Sequence, residues 1–86
     1  MDINKLIAII KKKLLDEINI ENIIIEDKSF LHKNHPGNQE GKFHLKITIK
    51  SNSLKKMNRI ESNKIVYKVI GEELQKFIHS IQILII

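Results

Sequence analysis

Hydrophobic and polar residues alternate most regularly between residues 43 and 50, where the sequence reads FHLKITIK. Every second residue from Phe43 to Ile49 is hydrophobic, and the residues between them are polar. Because successive side chains of a strand point to opposite faces, this pattern predicts a half-buried strand. We expect one face to pack against helices and the other to carry His44 and two lysines.

A helical pattern precedes this strand near the start of the chain. Hydrophobic residues recur there at helical spacing, at Ile3, Leu6, Ile7, Ile10 and Leu14. Asp2 can cap the first turn, so the spacing predicts a helix over residues 3–15. Lys11, Lys12 and Lys13 fall in its last turns, where cations suit the helix dipole, and we expect them to form its solvated face.

Two further strands are predicted, one between the first helix and the strand at residues 43–50 and one in the final residues. The string NIENIIIED at residues 19–27 is short and rich in β-branched isoleucine, which favours a strand. Residues 28–41 are expected to form a loop, because Pro36, Gly37 and Gly41 interrupt regular structure. The final residues, SIQILII, predict the third strand.

The segment between residues 51 and 79 is expected to be mostly helical. SNSLKKMNRIES is polar and predicts a turn with a short helical piece. From about Ser62 a longer helix follows, whose hydrophobic stripe carries Val66, Ile70, Leu74 and Phe77, with Ile78 beside it.

Four residues of that longer helix carry more specific expectations. Gly71 costs stability inside a helix, which suggests a close contact with another helix. Glu72 or Glu73 can pair with Lys76 one turn later. His79 is expected near the end of the helix, in a favourable contact with its dipole.

Together these elements predict a single α/β (α+β) domain over residues 1–86, in the order α-β-β-(short helix)-α-β. The first two strands can pair antiparallel through the loop. The last helix then acts as a crossover that returns the third strand to the same sheet. We therefore expect one three-stranded sheet with helices packed on one face.

Composition narrows the chemistry. The 86 residues include no cysteine, so this chain offers no disulfide, thiolate metal site or thiol nucleophile. No apolar run approaches the roughly 20 residues that span a bilayer, and no signal peptide is recognisable at the start. We expect a cytoplasmic protein without a membrane partner. The formal charge of +5 favours an acidic partner without identifying it.

Enzymatic motifs are missing from the sequence. It contains no cysteine–histidine pair, no phosphate-binding glycine loop and no spaced carboxylate dyad on one element. Glu72 and Glu73 are adjacent in the predicted helix, so their side chains diverge around it. We therefore expect the protein not to be an enzyme.

The order and spacing of several short motifs resemble the BolA family over roughly residues 3–84. The matching stretches are EDKSFLHKNH, GKFHLKITIKSNSL and NRIESNKIVYKVIGEELQKFIHSIQI. The most specific pieces are an acidic residue, serine and histidine in the loop (Asp27, Ser29, His32), the strand start at residues 44–46, and the VY and EEL strings of the long helix. The resemblance implies an α/β fold similar to a type-II KH domain.

The resemblance also implies a function. BolA-like proteins are partners of monothiol glutaredoxins, and the pair can bridge a [2Fe–2S] cluster using thiolates from glutaredoxin and glutathione and a histidine from the BolA-like chain. The family is linked to iron–sulfur cluster assembly and trafficking and to iron regulation. Some members act in transcription regulation and the stress response. The isolated chain is expected to be a monomer without a cofactor of its own.

Residue by residue, the resemblance implies one retained and one lost cluster ligand. His32 occupies the loop position where the family offers a ligand, and His35 lies three residues further on as a second metal-binding candidate. The family's characteristic histidine before the VY string is replaced here by Asn63. An amide is a poor donor to iron compared with imidazole. Asn63 and Lys64 are therefore predicted to form a docking surface, while His44 is expected to be structural.

A nucleic-acid-binding regulator is the alternative from another class. Eight cationic side chains and one acidic side chain lie between residues 42 and 68. Such a region favours phosphate contacts, although the Gly-x-x-Gly turn of a KH-type clamp is missing. The predicted surface combines the strand and the helix start and consists of Lys46, Lys50, Arg59, Lys64 and Lys68.

Overall fold

The computed structural model describes residues 2–29 and 43–86, and the predicted ligands His32 and His35 lie outside them. Within the described residues the chain forms α1 (Ile3–Glu17), β1 (Asn22–Asp27), β2 (Phe43–Lys50), α2 (Asn52–Lys55), α3 (Arg59–Val69), α4 (Gly71–Phe77) and β3 (Ile78–Ile85). This order confirms the predicted fold class, except that the long helix is divided into α3 and α4.

The strands form one sheet in the order β1-β2-β3 within the described part of the chain. β1 and β2 pair antiparallel, with Ile25 opposite Ile47. β2 and β3 pair parallel, with Ile47 opposite Ile83. The antiparallel hairpin and the crossover predicted from the sequence are therefore confirmed, and they leave β1 and β3 at the two edges of the sheet.

The hydrophobic core lies between one face of the sheet and the helices. Ile47 and Ile49 of β2 are fully buried, as are the α1 residues Leu6, Ile10 and Leu14 and the α3 residue Val66. These positions are the ones that the alternation in β2 and the helical spacing in α1 predict. None of the helices in the described part of the chain is both long and apolar enough to cross a membrane.

Side-chain caps mark the starts of α1, α2 and α3. The Asp2 carboxylate accepts a hydrogen bond from the backbone of Asn4 at the start of α1, as predicted. Ser51 caps α2 through the backbone N–H of Leu54, and Asn58 caps α3 through that of Glu61. Because asparagine is a favoured N-cap, α3 begins at Arg59 rather than near Ser62, as the sequence had suggested.

The predicted long helix breaks at Ile70, whose backbone angles (φ −106°, ψ 23°) are not helical. Glycine follows directly, yet a Cβ atom at Gly71 would meet no heavy atom within 4 Å. The expectation that Gly71 permits a close helix contact is therefore wrong. Its low helix propensity instead coincides with the break between α3 and α4.

The prediction that His79 ends a helix is also wrong, because α4 ends at Phe77 and Ile78 already has extended backbone angles (φ −114°, ψ 123°). His79 is the second residue of β3, and its side chain is exposed. Its ring lies beside that of His44, with 4.9 Å between the ring centroids. β-branched isoleucines at residues 78, 81 and 83 favour the strand over a longer helix.

An ion pair between α1 and α4 was not predicted. The ammonium group of Lys13 lies 2.7 Å from Oε2 of Glu73, whose side chain is only 7% exposed. Lys13 also lies 4.0 Å from Glu72, and Glu72 forms the predicted pair with Lys76 at 3.0 Å. The expectation that Lys13 shares the solvated face of Lys11 and Lys12 is therefore wrong, since Lys13 joins two helices.

Candidate functional site

A groove runs between the α2–α3 region and the end of β3 and encloses about 340 Å³. It is hereafter called the α3–β3 groove. Its residues come from three elements and the short connection between α2 and α3: Leu54, Lys55, Met57, Arg59, Ser62, Asn63, Ile83, Leu84 and Ile85.

The α3–β3 groove follows the outer edge of β3, the edge that no other described strand pairs with. Ile83, Leu84 and Ile85 are consecutive, and the side chains of consecutive strand residues point to opposite faces. Three consecutive residues can line one groove only where the groove passes along the edge of the strand. The groove is therefore bounded by strand backbone on one side and by helical side chains on the other.

The walls of this groove are cationic. Lys55 and Arg59 line it, and no acidic side chain is among its lining residues. Neither cation belongs to an ion pair among the described residues. The nearby acidic residue Glu61 is exposed in the first turn of α3, where a negative charge suits the positive end of the helix dipole. An anionic group entering the groove would thus find two unpaired cations.

Asn63, which the resemblance predicts to replace a family ligand, lies in this groove. The Asn58 cap fixes the start of α3, and the buried Ser62 hydroxyl donates a hydrogen bond to the Arg59 carbonyl at 3.1 Å. These contacts hold the first turn of α3 next to β3, with Asn63 half-buried. The predicted docking surface is therefore only partly assembled, because Lys64 is exposed on the same helix but does not line the groove.

His44 is held by hydrogen bonds and is 4% exposed. Its Nδ1 atom lies 2.6 Å from the Ser80 hydroxyl, and its backbone N–H donates to the Ser29 hydroxyl at 3.1 Å. The structural role expected for His44 is supported by these contacts. The face of β2 that carries His44 is therefore buried at this residue.

No group of three or more histidine, cysteine or acidic residues suited to a metal ion occurs within residues 2–29 and 43–86. Ser29 is the last residue that the structure describes before residue 43. It and Asn63 lie near opposite ends of the sheet. Ser29 contacts His44 at the beginning of β2, whereas the groove adjoins Ile85, which pairs with Ile49 at the end of β2.

The other predicted cations are distributed around the molecule. Lys46 and Lys50 alternate with the buried residues of β2, which places them on the sheet face opposite the helices. Lys68 borders a separate hollow with Lys13 and Ile65. Of the predicted cationic surface, only Arg59 lies in the α3–β3 groove. The strand and the helix start therefore do not form one continuous basic surface.

Sequence reasoning missed the groove itself. Lys55, Met57 and the edge of β3 were not grouped with Asn63, because they are brought together by the parallel return of β3 rather than by spacing in the sequence. Two features indicate such a groove. The strand order leaves β3 at an edge of the sheet, and β3 has no charged residues.

Comparison with known proteins agrees with the fold. Residues 14–86 match the family model described as BolA-like protein. The chain is 29% identical over 76 residues to "Protein BOLA1, chloroplastic" of Arabidopsis thaliana, covering 85% of this chain and 48% of that protein. It is also 29% identical over 73 residues to the "DNA-binding transcriptional regulator BolA" of Haemophilus influenzae, covering 85% of this chain and 68% of that protein.

The solved structure of BolA1 from Arabidopsis thaliana superposes with a TM-score of 0.76 at 26% identity, covering 93% of this chain and 88% of that one. The chain thus spans about half the length of the Arabidopsis curated relative, 48%, and nearly all of the solved domain. The family match extends over most of the sequence and includes every described strand. The chain belongs to the BolA-like protein family.

Proposed function

We propose that this protein is an adaptor that binds a monothiol glutaredoxin and takes part in [2Fe–2S] cluster assembly, trafficking or iron regulation. Members of the family are regulators or adaptors rather than enzymes. The observation that supports the proposal is the α3–β3 groove, which is lined by Lys55, Arg59 and Asn63, the last being the residue that the resemblance predicts at the family's ligand position. A site of this kind suits an acidic protein partner, because complementary charge steers encounter.

Two of the described residues are poorly suited to holding the cluster. Asn63 offers an amide where imidazole would be needed, and His44 is occupied by Ser80. Neither residue is therefore proposed as a ligand, and His32 remains the first candidate and His35 the second. We treat the cluster as cargo shared with glutaredoxin and glutathione rather than as a cofactor of this chain.

An NMR titration with a monothiol glutaredoxin, first without and then with its cluster, tests the proposal. We expect amide shifts at Arg59 and Asn63 on addition of the cluster-free partner. With the cluster-loaded partner we expect a change in visible absorption and circular dichroism. His32→Ala should reduce that spectral change more than the matched variant His79→Ala. Absence of both a complex and a spectral change would refute the adaptor function.

Restoring the lost ligand gives a second test. Asn63→His should increase the stability of the shared cluster, because it places a borderline donor at the family's ligand position. The measurement is the half-life of the visible cluster signal after addition of an iron chelator. An unchanged half-life for Asn63→His, together with an unchanged one for His32→Ala, would exclude ligation at residues 63 and 32 while leaving adaptor binding intact.

A nucleic-acid-binding regulator is the second candidate. It is favoured by the similarity to the Haemophilus relative, which is named a DNA-binding transcriptional regulator, and by the cationic walls of the groove. Binding through phosphates should weaken with salt along a straight log–log line, and Arg59→Ala should reduce the slope by about one. Fluorescence anisotropy with a DNA duplex measures this. Absence of binding at about 50 mM salt would exclude it, because phosphate contacts are strongest there.

A further inference from the structure

The outer edge of β3 presents unpaired backbone groups to the α3–β3 groove. The N–H of Ile86 donates to the carbonyl of Ile49 at 2.9 Å, and Ile85 lies opposite Ile49. In a parallel pair this arrangement turns the N–H and C=O of Ile85 away from β2, and alternation does the same for Ile83. No backbone group among the described residues pairs with them on that side.

The side chains beside this edge are suited to an extended peptide. Leu54 is 2% exposed and Ile83 is 9% exposed, so they give the groove an apolar floor. Leu84 and Met57 are 44% and 39% exposed, respectively, and offer apolar surface beside it. An added strand could therefore bury one row of apolar side chains while its backbone pairs with β3, as strand-addition domains do.

The positive charge of the groove favours an acidic incoming strand. Lys55 and Arg59 line the groove without acidic partners, so the other row of side chains on an incoming strand is favoured to be acidic. A second copy of this chain is a poor occupant, because its β3 contains no acidic residue and the acidic residues of its other edge strand, Glu26 and Asp27 of β1, are adjacent and so point to opposite faces. Nucleic acid fits the cations but not the edge, because its backbone offers no regular series of donors and acceptors to match that of a strand.

We propose that the free edge of β3 in the α3–β3 groove accepts an extended acidic segment of a partner protein as a fourth strand. Backbone hydrogen bonds to Ile83 and Ile85 would align the segment, and its carboxylates would meet Lys55 and Arg59. This deepens the adaptor function proposed above by stating how a partner docks. Its test uses synthetic peptides, so its outcome is independent of whether glutaredoxin is the partner.

The first experiment uses a ten-residue peptide of alternating glutamate and valine, added to ¹⁵N-labelled full-length protein. We expect the amide protons of Ile83 and Ile85 to become protected from solvent exchange, while Leu84, already directed toward β2, changes less. Two versions of the peptide carry N-methyl groups on either the valines or the glutamates. One version should lose binding and the other retain it, because only one row of N–H groups can face β3.

The second experiment changes the charge of the groove. Lys55→Glu with Arg59→Glu should weaken binding of the acidic peptide by about tenfold or more at low salt, because two attractive contacts become repulsive. Lys5→Glu with Lys11→Glu is the matched control, since it makes the same change in net charge at exposed positions of α1, away from the groove. Circular dichroism confirms that both variants fold.

Three outcomes would overturn the proposal. The first is equal weakening by the groove variant and the α1 variant, which would mean that only net charge matters. The second is retention of binding by both N-methylated peptides. The third is protection of the Ile83 and Ile85 amides in the protein alone at high concentration, with a doubled mass in solution, which would assign the edge to a second copy.

Discussion

Two charged regions of this small molecule have opposite arrangements. At the contact between α1 and α4, Lys13 bridges Glu72 and Glu73, and Lys76 completes the cluster. In the α3–β3 groove, Lys55 and Arg59 have no acidic partner among the described residues. The chain's positive charge is therefore balanced internally in one place and left available in the other.

The difference separates charges that support the fold from charges available for binding. Glu73 is 5% exposed, and a carboxylate so deeply buried requires a cation. Its hydrogen bond to Lys13 raises the pKa of that lysine above its usual value of 10.5, so Lys13 stays charged throughout the physiological range. Lys55 and Arg59 have no such internal task, and changing them should affect binding rather than folding.

The largest expected effect follows from removing the cation of the buried pair. Lys13→Met leaves the Glu73 carboxylate buried without its partner, which is unfavourable because the group has lost solvation and gains no compensating charge. We expect the midpoint of thermal unfolding to fall by about 5–15 °C, measured by circular dichroism. The matched variant Lys12→Met breaks only the exposed pair with Asp16 and should lower it by about 2 °C or less.

A double variant distinguishes loss of the pair from loss of packing. Lys13→Met combined with Glu73→Leu removes both charges and fills the site with apolar atoms, so it should recover most of the midpoint lost in Lys13→Met alone. If the unfolding midpoint of the double variant is no higher than that of Lys13→Met, the ion pair is not what joins α1 to α4 at this point.

The second prediction concerns the α3–β3 groove, where we expect a loss of binding with little loss of stability. Arg59→Ala should leave the unfolding midpoint within about 2 °C of the original, because surface substitutions without internal partners have small effects. The same variant should weaken binding of the acidic partner several-fold, since it removes one of two unpaired cations. Isothermal titration and thermal unfolding on the same preparation would test both parts, and a large loss of stability would contradict the separation of roles.

The smallest expected effect is a pH dependence of stability at the contact between α1 and α4. The hydrogen bond from Lys76, aided by the charges of Lys76 and Lys13, holds the pKa of Glu72 below its usual value of 4.5. A carboxyl with a lowered folded pKa adds stability above its unfolded pKa and loses it as the pH falls through the folded value.

Glu72→Gln should therefore lower the unfolding midpoint by about 2 °C at neutral pH, because these side chains are largely exposed. The difference between the two proteins should vanish in acid, once Glu72 is protonated in both states. A difference that persists unchanged at pH values well below 4.5 would show that packing, not charge, is responsible.

The sequence predicted most of the sheet because period-two alternation in β2 and helical spacing in α1 are both set by burial on one face. Element order then limited the topology to an antiparallel hairpin and a crossover. The ends of helices were less predictable. With Asn58 as its cap, α3 begins earlier than the predicted start near Ser62. The β-branched isoleucines of β3 favour a strand, so α4 ends before His79.

The candidate site was less predictable than the fold. The resemblance directed attention to Asn63, but the groove around it depends on β3 returning next to α3, with residues about twenty positions away in the sequence. Likewise, nothing in three consecutive lysines distinguishes Lys13, since its partner Glu73 lies 60 residues further along the chain. His32 and His35 lie outside the described residues, so their predicted role as ligands stays a prediction.

The mixed sheet, with β2 at its centre, also has consequences for the order in which the protein folds and opens. β2 and β3 are adjacent in space but separated by α2, α3 and α4 in the sequence, so their pairing must close a long stretch of chain. We therefore expect β3 to dock late and to exchange its amide protons before those of β2. A strand added at its free edge would convert β3 into an interior strand. Partner binding would then slow local unfolding at this end of the molecule.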